Sequence, residues 1–133
     1  MNTLDYIINK FKLDIGKQYV VEIPGVGRDD LAKVFHELGF TKGAEVGVER
    51  GYFSEVLCKA NPDLKLYCID PWNKDAYLPG ISGVDSEQEA FDGYYQETKE
   101  RLSSYNCTLI RDYSVEASKG FADESLDFVY IDA

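Results

Sequence analysis

The sequence predicts a three-layer α/β fold built on parallel strands. Three observations predict it. Short apolar runs alternate along the chain with segments of helical periodicity, the pattern left by strands joined through right-handed helical crossovers. In the stretch from Gly43 to Ser54, which holds Glu45, Gly47, Glu49 and Gly51, an apolar run ends in an acidic residue and glycines and passes straight into a helical pattern. The last run, Phe128-Val129-Tyr130-Ile131, is apolar throughout, as a strand covered on both faces requires.

Each element follows from local pattern. Leu4, Ile7, Ile8 and Phe11 recur at helical spacing, so a helix is expected from residue 3 to about residue 12. Tyr19 to Ile23 reads as a short strand or extended segment, and Pro24-Gly25-Val26-Gly27 as a loop. A second helix starts at Asp29 or Asp30 and runs to about Leu38, where Gly39 ends it. His36 lies on the opposite side of that helix from Leu31, Val34, Phe35 and Leu38, which makes it a surface residue rather than a catalyst. The first core strand is Ala44 to Val48. The helix after its turn places Phe53, Val56, Leu57 and Ala60 on one face and stops at Asn61-Pro62. Strand two is Lys65 to Ile69. Residues 71–84, rich in proline, glycine and aromatics, form a long loop of the kind that serves as a lid or binding element. Ser86 with Glu89 reads as a capping box. The helix it opens runs to about Ser104, with Phe91, Tyr94, Tyr95, Thr98 and Leu102 inward and Gly93 weakening it slightly. Strand three is Thr108 to Arg111, a short helix spans Val115 to Gly120, and strand four is Phe128 to Ile131.

A chain of 133 residues with 44% hydrophobic and 29% charged residues is expected to form one soluble domain. Its net charge of -10 argues against nucleic acid as a partner, because phosphate contacts need clustered Lys and Arg. No apolar run is long enough to cross a bilayer, and the first residues lack a basic stretch followed by an apolar block. A cytoplasmic protein without membrane contact is therefore expected. Cys58, Cys68 and Cys107 are odd in number and far apart in sequence, and His36 is the single histidine. No metal-ligand spacing is present, so three buried, reduced thiols and no metal site are expected.

The polar residues gather where a ligand would bind. In an open parallel sheet the site lies outside the carboxyl ends of the strands. Strand one contributes Glu45, Gly47 and the turn to Ser54. Strand two contributes Asp70, strand three Asp112 and Ser114, and strand four Asp132. One strand-end aspartate is usually a cap or turn former, but four strand ends agreeing point to a site for a nucleoside-bearing cofactor. A dinucleotide site uses Gly-x-Gly-x-x-Gly to bring backbone N–H groups to a pyrophosphate. Here Glu49 occupies the middle of the turn, where its charge would repel a pyrophosphate, which disfavours a nicotinamide-dependent oxidoreductase. A ligand with a positive centre and no phosphate fits better, and S-adenosylmethionine is such a ligand.

The motifs Glu45-Val46-Gly47-Val48-Glu49-Arg50-Gly51-Tyr52-Phe53-Ser54, Cys68-Ile69-Asp70-Pro71-Trp72, Arg111-Asp112-Tyr113-Ser114 and Asp127-Phe128-Val129-Tyr130-Ile131-Asp132-Ala133 stand in this order. With them the chain resembles the class I S-adenosylmethionine-dependent methyltransferases, and most of all the small-molecule O-methyltransferase-like subgroup called methyltransferase type 24. The resemblance runs from about residue 20 to the end. It departs from the commoner class I motif at Glu49, where that motif has glycine.

The resemblance implies roles. Glu45, Gly47, Glu49 and Gly51 would wrap the amino-acid portion of the cofactor, with Ser54 at the helix start. Asp70 would bind the ribose hydroxyls, with Pro71 and Trp72 beside the adenosine. Asp112 would bond the adenine amino group, with Ser114 close by. Asp132 would face the methyl group and the acceptor as the catalytic candidate, and in some relatives it forms part of a metal site. The implied fold is Rossmann-like with strand order three, two, one, four, five, seven, six. This chain reaches strand four, so the N-terminal half alone is expected, with order 3-2-1-4. Residues 1–40 would be a helical segment packed on residues 41–133, the cofactor-binding half. Without strands five to seven the chain is expected to be a truncated, inactive piece that forms a homodimer through the free edge of strand four or through the apolar surface the missing half would cover. The implied function is methyl transfer to a small-molecule or sugar acceptor. The alternative is a non-catalytic nucleoside-binding or interaction module of the same fold.

Overall fold

Among the described residues, four strands make one sheet in the order β3-β2-β1-β4, with β1 (Lys42–Val46), β2 (Lys65–Ile69), β3 (Cys107–Ile110) and β4 (Phe128–Ile131) all paired parallel. This is the predicted fold class and strand order. The computed structural model describes residues 2–16, 20–77 and 87–133. Gly43 faces Leu66 on one side and Phe128 on the other. A Cβ at Gly43 would lie 2.2 Å from the Phe128 ring, so the close fit of β4 on β1 depends on a residue without a side chain. The Asp127 carboxylate accepts the N–H groups of Thr41 at 2.8 Å and Lys42 at 2.9 Å, which ties the start of β4 to the start of β1.

Among the described residues, five helices accompany the sheet: α1 (Thr3–Phe11), α2 (Arg28–Glu37), α3 (Tyr52–Ala60), α4 (Gln88–Arg101) and α5 (Ser114–Ser118). The Asn2 side chain caps α1 by accepting the Asp5 N–H at 2.8 Å. Tyr6 and Lys10 both bond Glu37, fastening α1 to α2. Gly27 caps α2, and the Asp30 carboxylate accepts the Gly27 N–H at 3.0 Å. Gly39, at φ +73°, turns the chain out of α2 in the left-handed conformation that glycine adopts without a steric cost.

Alternation along the strands divides the core into two layers. Leu66 and Cys68 face α3 and α4, where they join Ala32, Phe53, Leu57, Trp72, Phe91 and Phe128. Ala44 and Ile69 face the other way and pack with Ala117, Tyr67 and Phe121. Phe91, Thr98 and Leu102 are buried along the predicted inner face of α4, with Tyr94 and Tyr95 packed beside them. His36 is exposed, as its helical position predicts.

Several boundaries differ from expectation. Strand one is predicted at Ala44–Val48 and lies two residues earlier, at Lys42–Val46. Gly47, at φ +89°, takes the chain out of the sheet, while Lys42 already pairs with Lys65. Strand three likewise begins and ends one residue early, leaving Arg111 beyond the sheet. No strand forms over the described residues 20–23, and Tyr19 lies outside the described residues. Ser86, the expected cap of α4, also lies outside them; Glu87 occupies the cap position without a side-chain cap. Of the long loop, residues 78–84 lie outside the described residues, and the remainder contains a 3-10 turn at Lys74–Ala76.

Candidate functional site

The site is built around the exit from β1. The Gly47 N–H donates to the Ile69 carbonyl at 2.9 Å, and the Gly51 N–H closes the turn on the Val48 carbonyl at 3.0 Å. Glu49 sits in the left-handed region at φ +55°, an unfavourable place for a residue with a side chain. Three groups hold it there. The Asp70 carboxylate accepts the N–H of Val48 at 2.9 Å and of Glu49 at 3.0 Å through Oδ2. The Trp72 indole Nε1 donates to the Glu49 carbonyl at 2.7 Å, and the Thr98 hydroxyl donates to the same carbonyl at 3.0 Å. Oδ1 of Asp70 accepts the Trp72 N–H at 2.8 Å. The carboxylate at the tip of β2 thus organises the turn that follows β1.

Two adjoining clefts open at these strand tips. The larger, of about 460 Å³, is lined by Glu45, Gly47, Glu49, Asp70 and Asp132, together with Arg28 and Phe53. The smaller, of about 170 Å³, is lined by Pro71, Asp112 and Ser114. Gly47, Asp70, Tyr77 and Ala133 border both. Combined, they have the size of a small-molecule site.

Most of the residues expected from sequence meet here. Glu45, Gly47, Glu49, Asp70, Pro71, Asp112, Ser114 and Asp132 all line one cleft or the other. Gly51 and Ser54 stand behind the cleft wall, Gly51 against Thr98 and Ser54 fully buried beneath Glu45. Trp72 is placed differently from its expected position beside the ligand. Its ring is wholly buried in the core, 4.9 Å edge-on from Tyr95, because φ +42° and the bond to the Glu49 carbonyl turn it inward. Tyr77 is the aromatic residue that borders both clefts. Sequence patterns give no sign of Arg28 or Tyr77, which approach from a helix start and a loop.

Glu45 is 2% exposed, and the Ser54 hydroxyl donates to its carboxylate. Burial pushes its carboxyl up from 4.5 to about 7; the Ser54 bond opposes the rise, the Asp132 charge adds to it, and Arg28 opposes it. The folded chain therefore holds a proton on Glu45 at pH values where the unfolded chain has released it. That contribution to stability is complete below about pH 4.5 and disappears as pH rises through about 7, a change of about 3 kcal/mol. The unfolding free energy in urea is expected to fall between about pH 5 and about pH 7.5, and Glu45→Gln to flatten that fall. Equal slopes for the two proteins would assign the effect to another group.

Asp132 and Asp112 are more exposed. Asp132 is 60% exposed and lies 3.7 Å from the Arg28 guanidinium. Asp112 accepts the Tyr113 N–H at 2.8 Å at the start of α5. Among the described residues, no three His, Cys, Asp or Glu side chains converge as metal ligands. The cysteines are closer than their sequence positions suggest, with Cys58 Sγ 3.4 Å from Cys107 Sγ. All three are free thiols, but only Cys58 and Cys68 are buried; Cys107 is half-buried because β3 is an edge strand. The bond between them pushes the Cys58 thiol up and pulls Cys107 down.

Comparison with known proteins agrees with this geometry. A family model described as "Methyltransferase domain" matches residues 44–133. Among solved structures, a Klebsiella pneumoniae protein provisionally named an O-methyltransferase superimposes with a TM-score of 0.57 at 15% identity, over 100% of this chain and 54% of its own. A Staphylococcus aureus protein provisionally named a caffeoyl-CoA O-methyltransferase gives 0.55 at 15% identity, over 95% and 50%. The O-methyltransferase TomG of Streptomyces achromogenes, involved in tomaymycin synthesis and solved with S-adenosylmethionine, gives 0.51 at 17% identity, over 100% and 54%. At these identities the likeness is one of fold, and the chain spans about half the length of each structure. No curated protein sequence matches significantly. Among the described residues no helix is long and apolar enough to cross a membrane.

Proposed function

The chain belongs to the methyltransferase-domain family, and from that membership we propose that its cleft holds S-adenosylmethionine for methyl transfer to a small-molecule or sugar acceptor. The observation that carries the reading is the Asp70 arrangement, in which one buried carboxylate orders the β1 turn from the tip of the neighbouring strand. Oδ1 of Asp70 accepts one N–H where a carboxylate oxygen can accept two bonds. That leaves acceptor capacity for a ribose hydroxyl at the border of both clefts.

The residues present fit this cofactor. The larger cleft is lined by the carboxylates of Glu49, Asp70 and Asp132, beside the Glu45 carboxyl, and these charges favour an ammonium and a sulfonium and would oppose a pyrophosphate. Glu45, Gly47 and Glu49 hold the amino-acid end. Pro71, Asp112 and Ser114 surround the adenine, and Tyr77 takes the ring-facing place expected of Trp72. When bound, S-adenosylmethionine supplies an electrophilic methyl group on sulfur. The chain orients the reacting atoms, and Asp132, in the cleft wall, accepts the proton of an acceptor hydroxyl.

The second reading is a module that binds a nucleoside without turnover. Calorimetric titration with S-adenosylhomocysteine and with NAD tests the cofactor; binding of the first and not the second is expected, and the reverse would overturn the proposal. Release of S-adenosylhomocysteine in the presence of hydroxylated acceptors then separates enzyme from module.

A further inference from the structure

We propose that Arg28 recognises the α-carboxylate of the bound cofactor and makes this cleft selective for adenosyl ligands that carry an amino-acid end. The inference rests on the S-adenosylmethionine reading above. Arg28 is the first residue of α2, and its guanidinium lies 5.1 Å from the centroid of the Phe53 ring, near the start of α3. Both residues line the larger cleft. Stacking of this kind fixes the plane of the guanidinium and leaves its edge free to donate.

The charge inventory of the cleft leaves Arg28 one natural partner. An amino-acid end brings an ammonium and a carboxylate. The ammonium has Glu49, Asp70 and Asp132 to choose from, whereas the carboxylate would be repelled by the same three groups. The two arginines are the cationic side chains of this lining. Arg50 has more partners, with Glu97 at 3.9 Å, the Tyr94 ring at 4.4 Å and the side chains of Tyr94 and Tyr52 bonded to it. Arg28 has one ion pair, to Asp132 at 3.7 Å, which is too long for a hydrogen bond. The side chains of that pair are 54% and 60% exposed, so solvent screens it and it yields readily. The planar fork of Arg28 can then grip a carboxylate through two parallel N–H bonds.

The test compares two ligands that differ only in that end. S-adenosylhomocysteine and 5′-methylthioadenosine, which ends in a methyl thioether, are titrated calorimetrically into wild type, Arg28→Ala and Arg28→Lys. Arg28→Ala is expected to weaken S-adenosylhomocysteine about 10- to 100-fold, the usual scale for a lost charge-assisted bond. Its affinity for 5′-methylthioadenosine should stay within about twofold of wild type, which also shows that the cleft is intact. Arg28→Lys, a point charge without the fork, should fall between. Equal losses for both ligands, or no loss for either, would overturn the role of Arg28. Equal affinity of wild type for the two ligands would overturn it as well, while leaving the cofactor reading in place. A wild-type chain that binds neither would overturn both.

Discussion

Replacing Asp70 by alanine is expected to destabilise the folded chain by about 3 kcal/mol or more and to abolish S-adenosylhomocysteine binding in the same step. The carboxylate is 1% exposed and accepts N–H groups from Val48, Glu49 and Trp72. Each donor stranded away from water costs about 1–3 kcal/mol, and water entering the vacated space recovers part of that sum. The loss does not stop at the hydrogen bonds. Glu49 and Trp72 both have positive φ, +55° and +42°, and the Asp70 bonds help to hold them there. Once the turn relaxes, Gly47 and Glu49 no longer face the cleft together, so affinity falls with stability. Urea unfolding and calorimetric titration measure the two effects. A variant as stable as wild type with lower affinity would limit Asp70 to contact with the ligand. A variant with reduced stability and normal affinity would limit it to the fold.

Gly47→Ala is expected to be as damaging, for a steric reason. At φ +89° any side chain is strained. An added Cβ would also lie 2.2 Å from the Asp132 carbonyl oxygen and 2.6 Å from its carbon. Both are backbone atoms, so rotating a side chain relieves nothing. The end of β4 would have to part from β1, breaking the bond from the Asp132 N–H to the Val46 carbonyl at 2.8 Å. Gly25 supplies the control, because it has φ +72° but a Cβ there would meet nothing within 4 Å. Gly25→Ala should cost about 1 kcal/mol through backbone conformation alone, and Gly47→Ala about 3 kcal/mol or more. Thermal unfolding of the two variants checks the difference. Equal costs would mean that the tip of β4 gives way freely.

Much of this arrangement is legible in the sequence because period and strand-end chemistry are local signals. Lys65–Ile69 and Phe128–Ile131 are found where their apolar runs put them. Asp70 after strand two and Gly47 after strand one stand at the strand tips, where the two clefts open. Strand one is displaced from its predicted position because the apolar run continues to Val48, whereas the backbone leaves the sheet at Gly47. Hydropathy reports burial and is blind to φ. Trp72 departs from its expected place for a related reason: an indole after a strand-end aspartate suits a ligand equally well until its backbone angle sends it inward. Arg28, Tyr77 and the contact between Cys58 and Cys107 arise from packing between distant segments. No periodicity within one segment encodes them.

The bonds from Asp127 to the start of β1 also bear on how the sheet is assembled. β1 meets β2 across a short stretch of chain, with Lys42 beside Lys65. Its other neighbour is fixed by a contact spanning 85 residues, from Lys42 to Asp127. Closing the longer loop costs about 1 kcal/mol more in chain entropy, and that cost falls due before any β4 contact offsets it. The β1–β2 unit should therefore form early and the β4 side late. During synthesis the ribosome enforces the same order, since Asp127 emerges only after Lys65 and all of the residues between the two. Until then the strand destined for the centre of the sheet is one of its margins, and the nascent chain carries an open pairing edge while they are translated.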